Sequence, residues 1–529
     1  MKGQARSTFE GGPSRGWAFG FLLFACLALR VVGLFRPCLS DDEATYCVVG
    51  REMLSGRTLY RDVVDHKPPL IYFTYAATQA LGGPTGGMRL LHLLTALVVF
   101  STSLLIGRIA RDRGPGLAGA SVDDRRAVSF VAAALYVVFS TTLFDFDSQA
   151  ANCELFMMLP LTASVLVYLR DGGGRRRWLT LLATGALVAT AALYKYQAAI
   201  QFPLFALHLT WVRRRRPAAL MADLAAMTAG LAAVLGAAAA LAHLAGAWEG
   251  AWFWFRFNFA YIKQGFRLSE LLARGTARVS YAVLPALFLW ILGVRAAVLS
   301  LRRPLTLDDP QRTDLFLAGW LLVSVFAVTT GGRFFGHYFH QTTAPLAVLA
   351  APAAVRLTRS RPRLVGAAVG IPAALFFLFG LLHSQVVAAA GDPDPDYPAI
   401  AAYINARAAP SDALVVWGNA PVLYFEAGRP LGSRFVFSNY LTGLSPATRT
   451  QTDPNADASA NVVPESWGMF EADLRERRPR FFVDTSPGNI GAYAKFPPAR
   501  FPRLRTILDR DYTPIGEVGG ARIFALRAP

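Results

Sequence analysis

The chain is 529 residues long, 54% hydrophobic and strongly basic, with a formal net charge of +18. Its mean hydropathy of +0.36 is too apolar for a soluble protein of this size, which must show water a mostly polar surface. The charge would suit a nucleic-acid binder in a soluble chain, but here the basic residues stand in short clusters between apolar runs. They read as topology signals, and nucleic acid is not expected as a partner.

About eleven apolar stretches are long enough to cross a bilayer as helices. They fall at 17–35, 87–109, 127–144, 152–169, 178–194, 196–212, 218–245, 279–294, 315–330, 341–355 and 364–387. With the N-terminus, residues 1–16, in the cytoplasm, every cytoplasmic loop carries a basic cluster, as the positive-inside rule requires. The clusters are Lys2/Arg6/Arg15, Arg111/Arg113/Arg125/Arg126, Arg175/Arg176/Arg177, Arg213 to Arg216, Arg302/Arg303/Arg312 and Arg356/Arg359/Arg361/Arg363. The opposite loops are 36–86, 145–151, a turn at Lys195, 246–278, 331–340 and the tail from 388. These are richer in aromatic and acidic residues. The expectation is a multi-pass protein of the plasma (inner) membrane, its polytopic part spanning 17–387. The first span is too long for a signal-peptide core and lacks an Ala-x-Ala site, so it stays as a helix.

The large first outer loop opens on Asp41, Asp42 and Glu43, beside the bilayer. Carboxylates are costly there unless something uses them, so the cluster is a candidate site. Arg30, near the outer end of the first span, either snorkels or meets Asp41. Cys38, Cys47 and Cys153 face an oxidising compartment, with pairing undetermined. Tyr46, Val49, Met53 and Leu54 form an amphipathic stretch. Then comes Asp65-His66-Lys67-Pro68-Pro69, followed by an apolar run at 70–81 that is too short to span and reads as an interfacial helix, the proline pair in its first turn. Lys67 would lie at the headgroup level, beside a lipid phosphate.

Further outer loops add Asp145 and Asp147, then Asn152 and Glu154 at the start of the next span. Asn152 is a reasonable N-cap; alternatively Asp147, Asn152 and Glu154 share a cavity with Asp42 and bind sugar hydroxyls, with Tyr46 and Tyr338 as further contacts. The loop 246–278 is dense in Trp, Phe and Tyr, which reads as an interfacial belt or as a prenyl-chain groove. In 331–340, Arg333, His337, Tyr338 and His340 cluster at a membrane mouth, where a guanidinium grips phosphate in a fork. Lys195 is a further candidate cation. From about 388 to 529 the composition shifts, with strand-like runs at 413–417, 434–438, 480–484 and 521–525 and a helical stretch at 397–408, predicting a small outer α/β domain. The polar segment 450–463 reads as a loop.

The stretch DEATYCVVGREMLSGRTLYRDVVDHKPPLIYF resembles the first outer loop of bacterial family 39-type glycosyltransferases. These are GT-C membrane enzymes that include protein O-mannosyltransferases and the aminoarabinose transferases of lipid A. ANCELF and GRFFGHYFHQTTAPLA resemble later outer loops of that group, and the resemblance covers 17 to about 387. It implies an α-helical integral membrane protein of the GT-C type, transferring a sugar from a polyprenyl-phosphate donor with inversion. The acceptor would be a hydroxyl of an envelope lipid, polysaccharide or protein. Asp42 matches the family's catalytic carboxylate, with Glu43 beside it, and Lys67 matches a cation holding the donor phosphate, which Arg333, Lys195 and His337 would assist. The aminoarabinose transferases have an acid before that lysine. Here His66 stands there, leaving a divalent metal open. The rival class, a flippase of lipid-linked sugars, would show internal repeats and mid-span ionisable residues; a catalytically dead scaffold is a third reading.

Overall fold

The computed structural model describes residues 15–142, 146–170, 175–264, 268–303, 312–389 and 395–528. Asp145, Lys2 and Arg6 lie outside these. The protein is mostly helical, with a small C-terminal sheet.

Helices cover the predicted apolar stretches, although 17–35 is two helices, Arg15–Leu29 and Val32–Phe35, and 196–212 opens on a 3-10 turn, Tyr196–Ile200, before the helix Gln201–Arg213; two further boundaries change. The run at 70–81 and the span at 87–109 belong to one helix, Leu70–Arg113, bent at Gly83, where φ is 67° and ψ −174°. A glycine meets that backbone without strain. The predicted span 279–294 is broken: Leu268–Val283 and Leu287–Arg302 meet at 101° around Leu284 to Ala286, so the apolar helix starts at Leu287. Thr85–Arg113, Pro217–Leu244 and Pro362–Leu382 are long and apolar enough to cross a membrane, and the bent pair makes a fourth candidate. Leu241, Leu244, Ile371, Leu375 and Leu381 lie exposed on their outer faces, as side chains bathed in lipid do. This is a membrane protein.

Close packing inside the bundle rests on small residues. A Cβ on Gly185 would stand 1.9 Å from the carbonyl oxygen of Met227, and one on Gly230 would stand 1.9 Å from that of Leu182. Helices Arg175–Ala192 and Pro217–Leu244 therefore cross almost backbone to backbone, which only paired glycines permit.

The first-loop helix, Asp41–Leu54, joins the bundle to the C-terminal part. Ser40 caps it, accepting the Glu43 N–H at 3.2 Å, and its three opening acids sit where the helix dipole favours negative charge. Its far end docks elsewhere. Arg51 donates to the Arg429 carbonyl at 2.7 Å. Glu52 accepts the Leu431 N–H at 3.1 Å and pairs with Arg57 at 2.5 Å.

The C-terminal sheet runs in the order β1 (Leu414–Trp417), β2 (Phe481–Asp484), β4 (Ala521–Leu526), β3 (Tyr512–Val518). β1 and β2 are parallel, and β4 is antiparallel to both β2 and β3. Gly519 and Gly520, at φ 56° and 77°, close the β3–β4 hairpin in the left-handed conformation such tight turns need. The expected strand at 434–438 is not one. Phe435 bridges Val64 of the first loop instead, and the Val64 N–H reaches the Arg434 carbonyl at 3.0 Å. The segment 450–463 is largely irregular, with a short turn of helix at Arg449–Thr452 and a 3-10 turn at Ser459–Asn461.

Candidate active site

Where the first-loop helix, the bundle end and the C-terminal part meet, they enclose a cavity of about 500 Å³. Asp42, Lys67, Asp147, Lys195, Arg333, His337 and Tyr338 line it, together with Asp41 and His66. Residues spread over some three hundred positions thus converge.

Lys67 Nζ lies 3.6 Å from Asp42 Oδ2. Burial works against the ammonium charge, but Asp42 foremost, with Asp65 in support, holds its pKa well above the ordinary lysine value. The loop before Lys67 is fixed by Asp65, which accepts the His66 N–H at 2.7 Å and the Tyr72 hydroxyl at 2.7 Å. Although burial opposes ionisation of Asp65, His66 and Lys67 keep its carboxyl well below the usual range. Asn258 adds a bond from the aromatic segment, donating to the His66 carbonyl at 2.9 Å.

Across the cavity, Lys195 pairs with Glu154 at 2.6 Å and sits 4.3 Å above the Tyr338 ring. Asp147 contacts His337 Nδ1 and accepts the Asn152 amide at 2.7 Å. Burial disfavours the imidazolium, yet Asp147 and Glu154 raise the pKa of His337.

Several expectations need correction. Arg30 does not meet Asp41; its guanidinium donates to the carbonyls of Gln149, Ser140 and Ser148. Asp41 faces the cavity instead. Glu43 does not line the cavity: fully buried, it accepts the backbone N–H groups of Leu39 and Ala151 and stands 3.6 Å from His92. It anchors the start of the helix that presents Asp42. Tyr46, Asn152 and Glu154 also lie behind the wall, each touching a residue that forms it: Tyr46 beneath Lys67, Asn152 on Asp147, Glu154 on Lys195. Arg333 reaches the cavity, but its terminal nitrogens are taken by the Pro446 and Tyr261 carbonyls and the Ser445 hydroxyl. That arginine clips the C-terminal part to the bundle.

His66 was the open metal candidate, and its surroundings do not fit one. Its Nδ1 faces Tyr440 and Asp65 at 3.1 and 3.0 Å. Among the described residues no group of three His, Cys, Asp or Glu converges. The four cysteines are free thiols.

The sequence reading missed Asp65 as a positioning group. It also missed Arg278, which lines the cavity with its guanidinium carbon 5.2 Å from the Phe335 ring centre and, among the described residues, no carboxylate paired to it. It sits at the end of the outer loop 246–278, one residue before a predicted span. The wall contributed by Asn419, Asn439, Tyr440, Gln451 and Asn461 gave no signal at all, since nothing local ties those amides to the first loop.

No protein-family model and no curated protein sequence matches the chain. Solved structures do. ArnT from Cupriavidus metallidurans bound to undecaprenyl phosphate superposes with a TM-score of 0.56 at 15% identity, covering 97% of this chain and 99% of that one. The apo state of the same protein gives a TM-score of 0.53 at 14% identity, covering 96% and 98%. The oligosaccharyltransferase AglB from Archaeoglobus fulgidus, in complex with an inhibitory peptide and a dolichol-phosphate, gives 0.51 at 12% identity, covering 96% of this chain and 74% of that one. At such identities the likeness establishes the fold, the GT-C fold these glycosyltransferases have in common.

Proposed function

We propose that this GT-C protein moves a sugar from a polyprenyl-phosphate donor to a hydroxyl of an envelope acceptor, with inversion at the anomeric carbon and Asp42 as general base. The observation that carries the reading is the Asp42–Lys67 pair, 3.6 Å apart in a cavity at one end of the bundle. The lipid phosphates named with the ArnT and AglB structures support the donor class. The placement of basic clusters supports an outer-facing site, a C-terminal domain at 388–529 on that face, and about eleven spans.

The chemistry follows from the donor. A prenyl phosphate leaves as an anion and needs no proton, so the site requires one base and several cations. The acceptor oxygen forms its bond to the anomeric carbon, its proton passes to Asp42, and the electron pair of the breaking C–O bond departs with the phosphate. Lys67 and Arg278, with Lys195 behind them, stabilise that charge. Lys67 arrives paired with Asp42. A phosphate that takes the ammonium releases the carboxylate, so donor binding itself frees the base.

The decisive assay uses protein in vesicles supplied with labelled prenyl-phosphate sugar and envelope acceptor. Asp42→Asn should abolish transfer with the donor still bound. Undiminished transfer removes Asp42 as the base, and lipid movement without transfer by the wild type favours a flippase.

A further inference from the structure

The cavity is divided by chemistry. Among the described lining residues, every Asp, Lys and Arg comes from the bundle and its loops, at or before Arg333. The C-terminal wall carries no charge. It offers Asn419, Asn439, Gln451 and Asn461 with the rings of Phe437 and Tyr440.

Those amides are held at one end and open at the other. Asn439 is oriented by the Tyr493 hydroxyl, which donates to its Oδ1 at 3.0 Å, and it donates to Asn419 Oδ1 at 3.0 Å. The Asn419 amino group is thereby turned away from its protein partner. Gln451 Oε1 accepts the Ala447 N–H at 2.7 Å, which fixes its NH2 as the unengaged end. Asn461 donates to the Gly443 carbonyl at 3.1 Å, leaving its Oδ1 as acceptor. Phe437 and Tyr440 stand 5.3 Å apart beside them.

Pre-oriented neutral donors and acceptors next to aromatic faces suit a ligand that is uncharged, rich in hydroxyls and carries apolar C–H faces. A phosphorylated or acidic group would meet no cation on this wall. A peptide would bring backbone groups that want a continuous strand or groove edge, which isolated side-chain amides do not supply. Resting on the transferase reading above, we propose that the C-terminal wall is the acceptor subsite and that the acceptor is an uncharged carbohydrate. The charged wall takes the phosphate and the neutral wall the glycan. The reacting hydroxyl enters between them, towards Asp42.

The test separates recognition from reaction. Full-length protein in lipid nanodiscs is titrated with neutral hexose hexasaccharides of several linkages, a uronic-acid hexasaccharide and a serine/threonine-rich peptide. Neutral hexasaccharides should bind in preference to the others. Asn419→Asp and Gln451→Glu keep the oxygen that accepts from the protein and replace the outward NH2 with an oxygen, so the fold is preserved while the donor is lost. Combined, they should weaken neutral binding roughly tenfold. Wild-type-like binding by the double variant, preference for the acidic glycan or the peptide, or no neutral binding overturns the proposal. Loss of transfer in Asp42→Asn reports on the reaction alone, so either reading can fail without the other.

Discussion

Lys67 is shared between two residues one turn apart on the same helix: its Nζ lies 3.6 Å from Asp42 Oδ2 and 5.8 Å from the centre of the Tyr46 ring. The helix thus presents a carboxylate and an aromatic face to one cation. Lys67→Met should raise the donor KM and lower kcat/KM about 10²-fold or more, the scale of losing one charge-stabilising group. Lys67→Arg should recover part of the loss. Transfer kinetics with donor varied check this, and unchanged kinetics in Lys67→Met would remove the lysine from phosphate binding.

Glu43 and Asp42 should behave as opposites. Glu43→Gln sets an amide NH2 against one of two backbone donors, those of Leu39 and Ala151. It should cost about 1–3 kcal/mol of stability, seen as a lower thermal midpoint in detergent, with activity per folded molecule largely retained. Asp42→Asn should remove activity, with a fall in the midpoint limited to the loss of the Lys67 pair.

Asp41 supplies a pH dependence. It is exposed on the cavity side, yet enclosure by the surrounding protein, then Asp42 and Asp147, push its pKa up to about 7 from 3.8, a push that this exposure weakens. Between those values the folded state holds a proton the unfolded state has lost, so stability falls as pH rises through this window. Asp41→Asn should therefore raise the thermal midpoint at pH 8 and leave it unchanged near pH 4. A shift of equal size at both pH values would refute the assignment.

The crossing at Gly185 and Gly230 makes a prediction far from the site. Gly185→Leu drives a side chain into the Met227 carbonyl, an overpacking cost of about 3 kcal/mol or more. The yield of monodisperse protein should collapse, whereas Gly236→Leu, where a Cβ meets nothing within 4 Å, should be tolerated.

How far the chain could be read without coordinates varies by element. Apolar runs and basic clusters are local signals, so the helices and the cavity-facing Asp42, Lys67, Lys195 and His337 were legible. Arg30 was misjudged because its carbonyl partners lie more than a hundred residues away. Glu43 looked like Asp42 because adjacent helical residues differ by about 100° in direction, and only packing says which one faces the cavity. β3 escaped because Pro514 and Gly516 interrupt the strand pattern, at an irregularity in an edge strand that tolerates both. The 434–438 run has a β-branched and aromatic composition suited to a strand, and tertiary contact with Val64 claimed it instead.

The first-loop helix carries Asp42 near one end and Arg51 and Glu52 near the other, where Glu52 is 2% exposed and answers Leu431 and Arg57. A chain cut after 389 would take away the Leu431 N–H and the Arg429 carbonyl that hold this end, leaving Arg57 as the remaining partner of Glu52 and the end of the helix unseated. Grafting the C-terminal part from a relative meets the same obstacle from the other direction. The helix is seated on both sides, since Glu43 at its start accepts the Ala151 N–H of the bundle, and any chimera that divides residues 41–67 from either body separates the base from a surface on which its helix is seated.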